Sequence, residues 1–290
     1  SGVSNLPRGL EELLAARFAK LDDKARSVLE ALAALGGEAE VRVLAAMVPE
    51  ANLEEVLTSL EEEHLVLRKG DDAVAFVAPT VRNALWASLE EEARRRLRSM
   101  AATALETTLR GELREQHASL IARHLLEAGE IDRAATYFAI AASRSMALGQ
   151  WEGVARFMSL ALRSCEPSRR SPQELADWTE RFAEAMHRVR GTDELGEVTA
   201  RILERIDQAG DEKTRVRVRL DLARALGAVH LFDDADQHLA AARKLSDKDE
   251  MLSRRALSFE GELAMRKGDF RRSLVAFEEA SKLLESATRA

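Results

Sequence analysis

Six histidines and one cysteine are the most chemically versatile side chains of this 290-residue chain. His117 and His124 are seven apart and His230 and His238 eight apart, so each pair can share a helix face. A helical metal site wants ligands at i and i+4 with a carboxylate or thiolate nearby, and no H-E-x-x-H occurs. Packing or surface histidines are therefore expected. Cys165 lies beside Pro167 at a helix end, and no base is directed at it as a nucleophilic thiol would need. Glu61-Glu62-Glu63 and Glu90-Glu91-Glu92 place neighbouring carboxylates in different directions around a helix, so both read as solvated faces. No phosphate-binding loop of the form G-x-x-x-x-G-K-S/T is present. The expectation is a non-enzyme with no catalytic set, no metal site and no cofactor.

The remaining chemistry is recognition. Basic runs occur at Arg94-Arg95-Arg96-Arg98 and Arg215-Arg217-Arg219. On a helix Arg215 and Arg219 share a face while Arg217 points away. Arg215, Arg219 and Arg224 form one candidate patch for an acidic peptide or anionic ligand, and Tyr137, Trp151 and Trp178 are candidate groove-lining aromatics. Core packing is the default for all three aromatics at helical spacing.

The elements that must position these residues are helices. Hydrophobic residues make up 46% of the chain but aromatic ones only 4%, and Ala alone accounts for 49 positions. With 15 Gly and 5 Pro, turn residues are too scarce for a sandwich or barrel, so all-β is excluded. The balance of 43 basic against 50 acidic residues, net −7, offers no global footprint for nucleic acid. One Cys excludes a disulfide framework. No secretion signal or membrane-spanning run is visible, the longest uncharged stretch being Ala134 to Ser143, and a cytoplasmic location is expected.

Along the first hundred residues the spacing predicts a helix from Leu10 to Leu21, a second capped by Asp22 or Asp23 and ended by Gly36-Gly37, a third from Val41 to Val48, and a fourth with Asn52 and Glu55 in a capping-box-like arrangement. LVLRKGDDAVAFVA then reads as a β-hairpin with strands Leu65–Arg68 and Val74–Val77. Pro79 starts a helix carrying Leu85, Trp86 and Leu89, and another runs from about Glu91 to Leu109. Short helices followed by a hairpin describe a winged-helix-like unit, residues 1–110. The helix that would enter a DNA groove, Asn52–His64, carries five Glu and no Lys or Arg, and the wing's Arg68 and Lys69 are offset by Asp71 and Asp72. Direct DNA contact is not expected.

From residue 111 to 290 nine helical segments are expected, with breaks near Gly129, Gly149, Pro167–Pro172, Gly191, Gly210, Leu231, Ser246–Asp249 and Gly268. The spacing repeats. Leu222, Ala223, Leu226, Phe232, Ala235, Leu239 and Ala242 shifted by 38 give Glu260, Gly261, Ala264, Phe270, Ser273, Phe277 and Ala280. An earlier copy is Ile121, Ala122, Leu125, Ile131, Ala134, Phe138 and Ala141; weaker ones involve Met186, Val189, Leu195, Val198 and Ile202, and Ala142, Trp151, Val154, Met158 and Ala161. Small residues suit close helix crossings and large ones the grooves between.

These repeats resemble tetratricopeptide repeats, with AGEIDRA (128–134) and KGDFRRS (267–273) similar to that family's inter-helix turns. The longer run LPRGLEELLAARFAKL, the winged-helix-like unit, FVAPTVRNALWASL, EEARRRLRSMAATALE and ARHLLEAGEIDRAATYF resembles the region after the nucleotide-binding domain of STAND-type signalling ATPases, among them MalT-like and LuxR-type regulators and multidomain kinases. His124 matches that pattern. Ala78, Trp86 and Arg98 depart from it, standing where those proteins carry His, Tyr and His.

The fold expected is all-α: a winged-helix-like unit with one small β-hairpin, then a tetratricopeptide-like α-solenoid of antiparallel helix pairs. The resemblance implies a regulatory piece of a bacterial signalling protein with a nucleotide-binding domain upstream, its solenoid binding a partner protein or small inducer and relaying that event to an output in transcription. A static scaffold and a DNA-binding regulator are the alternatives. Leu274, Phe277, Leu283 and Leu284 on the last helix include positions that another helix would cover, so the chain is expected to continue past Ala290 or to self-associate at this edge.

Overall fold

The computed structural model describes residues 13–14, 16–70, 72–189 and 195–289, without the side chains of 195 and 285–289. Leu10, Asp71, Gly191 and Ala290 lie outside the described residues, as does the Leu195 side chain. The chain is all-α apart from one small sheet, and it divides into two compact units, residues 1–134 and 135–290.

In the first unit Asp22 starts α1 (Asp23–Ala34) by accepting a hydrogen bond from the Ala25 amide at 2.7 Å. Gly36 and Gly37, at φ 108° and 96°, end it. The order continues through β1 (Glu38–Glu40), α2 (Val41–Met47), α3 (Leu53–Glu62), β2 (Val66–Lys69), β3 (Ala73–Phe76), α4 (Pro79–Ser88) and α5 (Glu91–Thr108). Val28, Leu29 and Leu32 of α1 are buried in the same core as Leu44, Leu57, Leu60, Leu65 and Leu85. Pro79 opens α4 in the first turn, where its missing N–H costs nothing.

Three local expectations are corrected. The sheet has three antiparallel strands in the order β1-β3-β2, because Glu38–Glu40 pairs with β3 through its backbone. Glu-Ala-Glu is too short and too charged to show an alternation signal. The hairpin strands are Val66–Lys69 and Ala73–Phe76, paired with Leu67 opposite Ala75. Asn52 precedes α3 but its side chain caps no amide; it donates instead to the Glu55 carboxylate at 3.0 Å.

Next come α6 (Glu112–Gln116) and α7 (Ala118–Glu127), a single expected helix broken at His117, then α8 (Ile131–Ala147). The helices that follow are α9 (Trp151–Ser164), α10 (Pro172–Val189), α11 (Leu195–Ala209), α12 (Glu212–Ala228), α13 (Phe232–Ser246), α14 (Glu250–Lys267) and α15 (Phe270–Arg289). Within the second unit α12 packs on α13 and α14 on α15, while α10 lies against both α9 and α12. Cys165, just after α9, is buried.

The turns between paired helices share one geometry. Gly129, Gly149, His230 and Gly268 sit at φ 84°, 69°, 66° and 79°, each two residues before the next helix begins. In each, the following amide reaches back to a carbonyl five residues earlier: Glu130 to Leu125, Gln150 to Ser145, Leu231 to Leu226, Asp269 to Ala264, at 2.8–3.0 Å. His230 occupies a position that glycine fills in the other three.

The repeat positions Leu222, Ala223, Leu226, Ala235, Leu239 and Ala242 are buried, as are Ser273 and Ala280. The large residue opening each second helix is not core. Ile131 is 49% and Phe270 71% exposed, and Trp151 and Phe232 are half-buried. As first residues of their helices these side chains project beyond the packed stretch. On α15, Leu274, Phe277 and Leu284 are exposed and Leu283 is half-buried.

Candidate functional site

A groove of about 920 Å³ lies in the second unit. Three elements build it by helical spacing. Glu180, Glu184, His187 and Arg188 follow one stripe of α10, Asp221, Arg224 and Ala228 one stripe of α12, and Arg266 comes from the end of α14. The turn residues Val229 and His230 close one wall.

Much of its charge is already matched. Arg188 donates to Glu184 at 2.9 and 3.2 Å and its guanidinium lies 4.1 Å from the Trp151 ring. Glu180 lies 3.8 Å from Arg217. Two cations remain without hydrogen bonds among the described residues: Arg266, and Arg224, which stands 4.0 Å from Asp221 and 5.7 Å from the Phe259 ring. These guanidinia, with Arg188 and with burial as the largest effect, hold His187 below its usual range, so it is neutral at pH 7.

Asp221 is the unusual acid. It is 5% exposed, its Oδ2 is buried with no hydrogen-bond partner among the described residues, and Arg224 and Arg255 approach Oδ1 only to 4.0 and 3.9 Å. Burial, reinforced by Glu180, raises it to about 6 despite three nearby arginines. A carboxylate so placed can change protonation with its surroundings, and it lines the groove.

Of the six candidates from sequence, Arg224 alone lines this groove. Arg219 pairs with Asp207 at 2.5 Å and Arg217 with Asp177 at 2.6 Å, both from neighbouring helices, and Arg215 is half-buried. Trp178 is core, covered by the Arg170 guanidinium at 4.4 Å. Trp151 is half-buried beneath Arg188, and Tyr137 is half-buried on α8. Sequence reasoning missed Asp221, His187, His230 and Arg266. The 38-residue offset that aligns His230 with Gly268 was the available signal for His230.

The first unit brings together three of the four positions noted for family resemblance, Trp86, Arg98 and His124. Arg98 lies 4.6 Å from the Trp86 ring, donates to the Ala34 carbonyl at 2.7 Å, meets Glu127 at 2.7 Å and contacts His124 Nδ1 at 3.2 Å. A guanidinium can only donate, so Nδ1 accepts and His124 is neutral. Burial first, then Arg98 and Arg123, pushes His124 down to about 3. This cluster fastens helices to one another. In the hairpin, Arg68 donates to Glu54 at 2.8 Å and Glu61 at 3.1 Å, and Lys69 to Glu38 at 2.5 Å, so both hairpin cations are engaged. Among the described residues no three or more His, Cys, Asp or Glu are grouped to hold a metal ion, and no helix is long and apolar enough to cross a membrane.

No protein-family profile and no curated protein matches the chain. Among solved structures it is similar to a Signal Transduction ATPase with Numerous Domains (STAND) protein with a tetratricopeptide repeat sensor, from Pyrococcus horikoshii. That likeness has 12% identity and a TM-score of 0.40, and it covers 99% of this chain and 48% of the other. The chain thus spans about half the length of that protein. It is also similar to BtubC (BKLC) of P. vanneervenii, at 17% identity and TM-score 0.36, covering 95% of this chain and 92% of that one. At these scores the likenesses fix neither family nor function.

Proposed function

We propose that this chain is the sensing region of a bacterial, cytoplasmic signalling protein, whose helical repeats bind a ligand and relay that event to an output domain. The observation that carries the reading is the groove between α10, α12 and α14: a concave site of about 920 Å³ in which Arg224 and Arg266 have no hydrogen bonds among the described residues. Unspent guanidinia on a concave wall favour an anionic ligand. Because the groove is made from three helices, a ligand that prefers one spacing of those helices shifts the population of solenoid conformations. The resemblance in sequence to the region following the nucleotide-binding domain of STAND-type ATPases supports an output in transcription, controlled through that domain.

Hydrogen exchange on the protein with and without a panel of organic anions and acidic peptides tests this. The expected result is protection centred on 180–188, 221–230 and 266 that extends along the second unit, lost in the double variant Arg224→Ala, Arg266→Ala. Protection confined to the contact residues favours the static scaffold. A reproducible catalytic turnover by the purified chain overturns the reading.

A further inference from the structure

The groove is lined by groups of opposite charge. Arg224 and Arg266 supply guanidinia without hydrogen bonds among the described residues, and Asp221 supplies a carboxylate with neighbouring charge but no hydrogen bond among the described residues. Guanidinia at 4.0 and 3.9 Å are beyond hydrogen-bond reach of Asp221, and its Oδ2 has no hydrogen-bond partner among the described residues. Buried polar atoms are normally paired, so this one is an acceptor awaiting a donor. Asp221 itself lines the groove.

His230 adds an independent observation. At φ 66° it takes the left-handed conformation that Gly129, Gly149 and Gly268 take at the same place in their turns. A Cβ residue pays strain there that glycine avoids, and this one directs an imidazole-bearing residue to the groove wall. Glu180 and Glu184 also line the site, engaged with Arg217 and Arg188. Their charge disfavours a long polyanion and leaves room for a compact one.

Resting on the sensor reading above, we propose that the ligand is a small organic anion that also carries a hydrogen-bond donor, of the size and charge of an amino or hydroxy dicarboxylate. Its oxyanion lies among Arg224, Arg266 and His230, and its donor meets the Asp221 carboxylate. The test uses three acids of one carbon skeleton, succinate with no donor, L-malate with a hydroxyl and L-aspartate with an ammonium, titrated calorimetrically into the protein at pH 7.5. Malate or aspartate binds about tenfold or more tightly than succinate, as expected where a buried acceptor is satisfied by only some of the ligands. In Asp221→Leu, which removes the acceptor, that preference collapses. Arg266→Ala weakens all three acids about tenfold or more. His230→Gly also weakens them while far-ultraviolet circular dichroism stays unchanged, which a turn residue with no ligand contact would not do.

Equal binding of all three acids by the unaltered protein overturns the donor part of the proposal, and absence of binding by all three at millimolar concentration overturns the whole. An acidic peptide that protects the same residues when the three acids do not would discard this ligand class and leave the sensor reading standing.

Discussion

Two histidines show how one residue type serves different ends in this chain. His124 is buried and held neutral, at about 3, by desolvation and by Arg98 and Arg123. In the unfolded chain the same imidazole takes a proton near pH 6.5. Its contribution to stability is therefore complete above that value and is lost as pH falls from about 6.5 toward 3. Between pH 7.5 and 5 the loss amounts to about 2 kcal/mol. Urea unfolding at those two pH values should show this decrement, and His124→Gln should remove most of it. His187 and His238 titrate in the same direction, so the difference between protein and variant is the quantity to read. His230 makes the opposite prediction. Replacing it by Gly relieves a left-handed backbone and should raise stability by about 0.5–1 kcal/mol by thermal unfolding. A decrease would mean that the imidazole contact with the Phe232 ring, 5.4 Å between centroids, outweighs the strain.

At the scale of elements, the 38-residue repeat explains both the success and the failures of reading structure from sequence. Helix existence and turn positions were legible because left-handed glycines and apolar spacing mark them locally, as at Gly129, Gly149 and Gly268. Strand β1 was not, since three residues, two of them charged, leave no apolar alternation to read. The repeat also misled. Phe232 and Phe270 align as if core, yet they open their helices, where neighbours no longer cover them. Trp151 and Phe232 are instead met by Arg188 at 4.1 Å and Lys267 at 5.5 Å, cations that arrive 37 and 35 residues later in the chain. The groove was legible only in part: Arg224 was visible as a basic helix residue, but whether Arg217, Arg219 or Arg224 stays unspent depends on acids from other helices. Glu260 shows the same dependence, standing where the preceding copy has Leu222 and held by Arg243 at 2.5 Å and Arg272 at 2.9 Å. Gly261 beside it permits the closest approach of α14 and α15, a Cβ there falling 2.7 Å from the Phe277 ring. Gly261→Val should cost about 1–3 kcal/mol in urea unfolding. Adding Phe277→Ala should recover part of that, and additivity of the two changes would refute the packing argument.

At the scale of the whole molecule, charge placement matters more than net charge. The chain is acidic by seven, and the first unit's hairpin cations are tied to Glu54, Glu61 and Glu38. Fluorescence anisotropy with duplex DNA at about 50 mM salt should therefore show no binding. Affinity that falls steeply as salt rises would restore the DNA-binding alternative. Apolar side chains are likewise left in the open, with Phe270 71%, Leu274 60% and Leu284 47% exposed on α15. Such a surface favours association. Multi-angle light scattering should report mass rising with concentration, and Leu274→Lys should suppress it; a constant monomer mass at high concentration would count against self-association.

One buried atom gives the molecule a clock. Cys165 is the single thiol of the sequence and is 1% exposed, so an alkylating reagent can reach it only when the end of α9 opens. The rate of labelling then reports how often that stretch of the solenoid breathes, residue-resolved and without any introduced residue. Because the native thiol is silent in the closed state, a second cysteine placed on an exposed helix face can be labelled selectively, and ligand-driven changes in helix spacing become measurable as fluorescence.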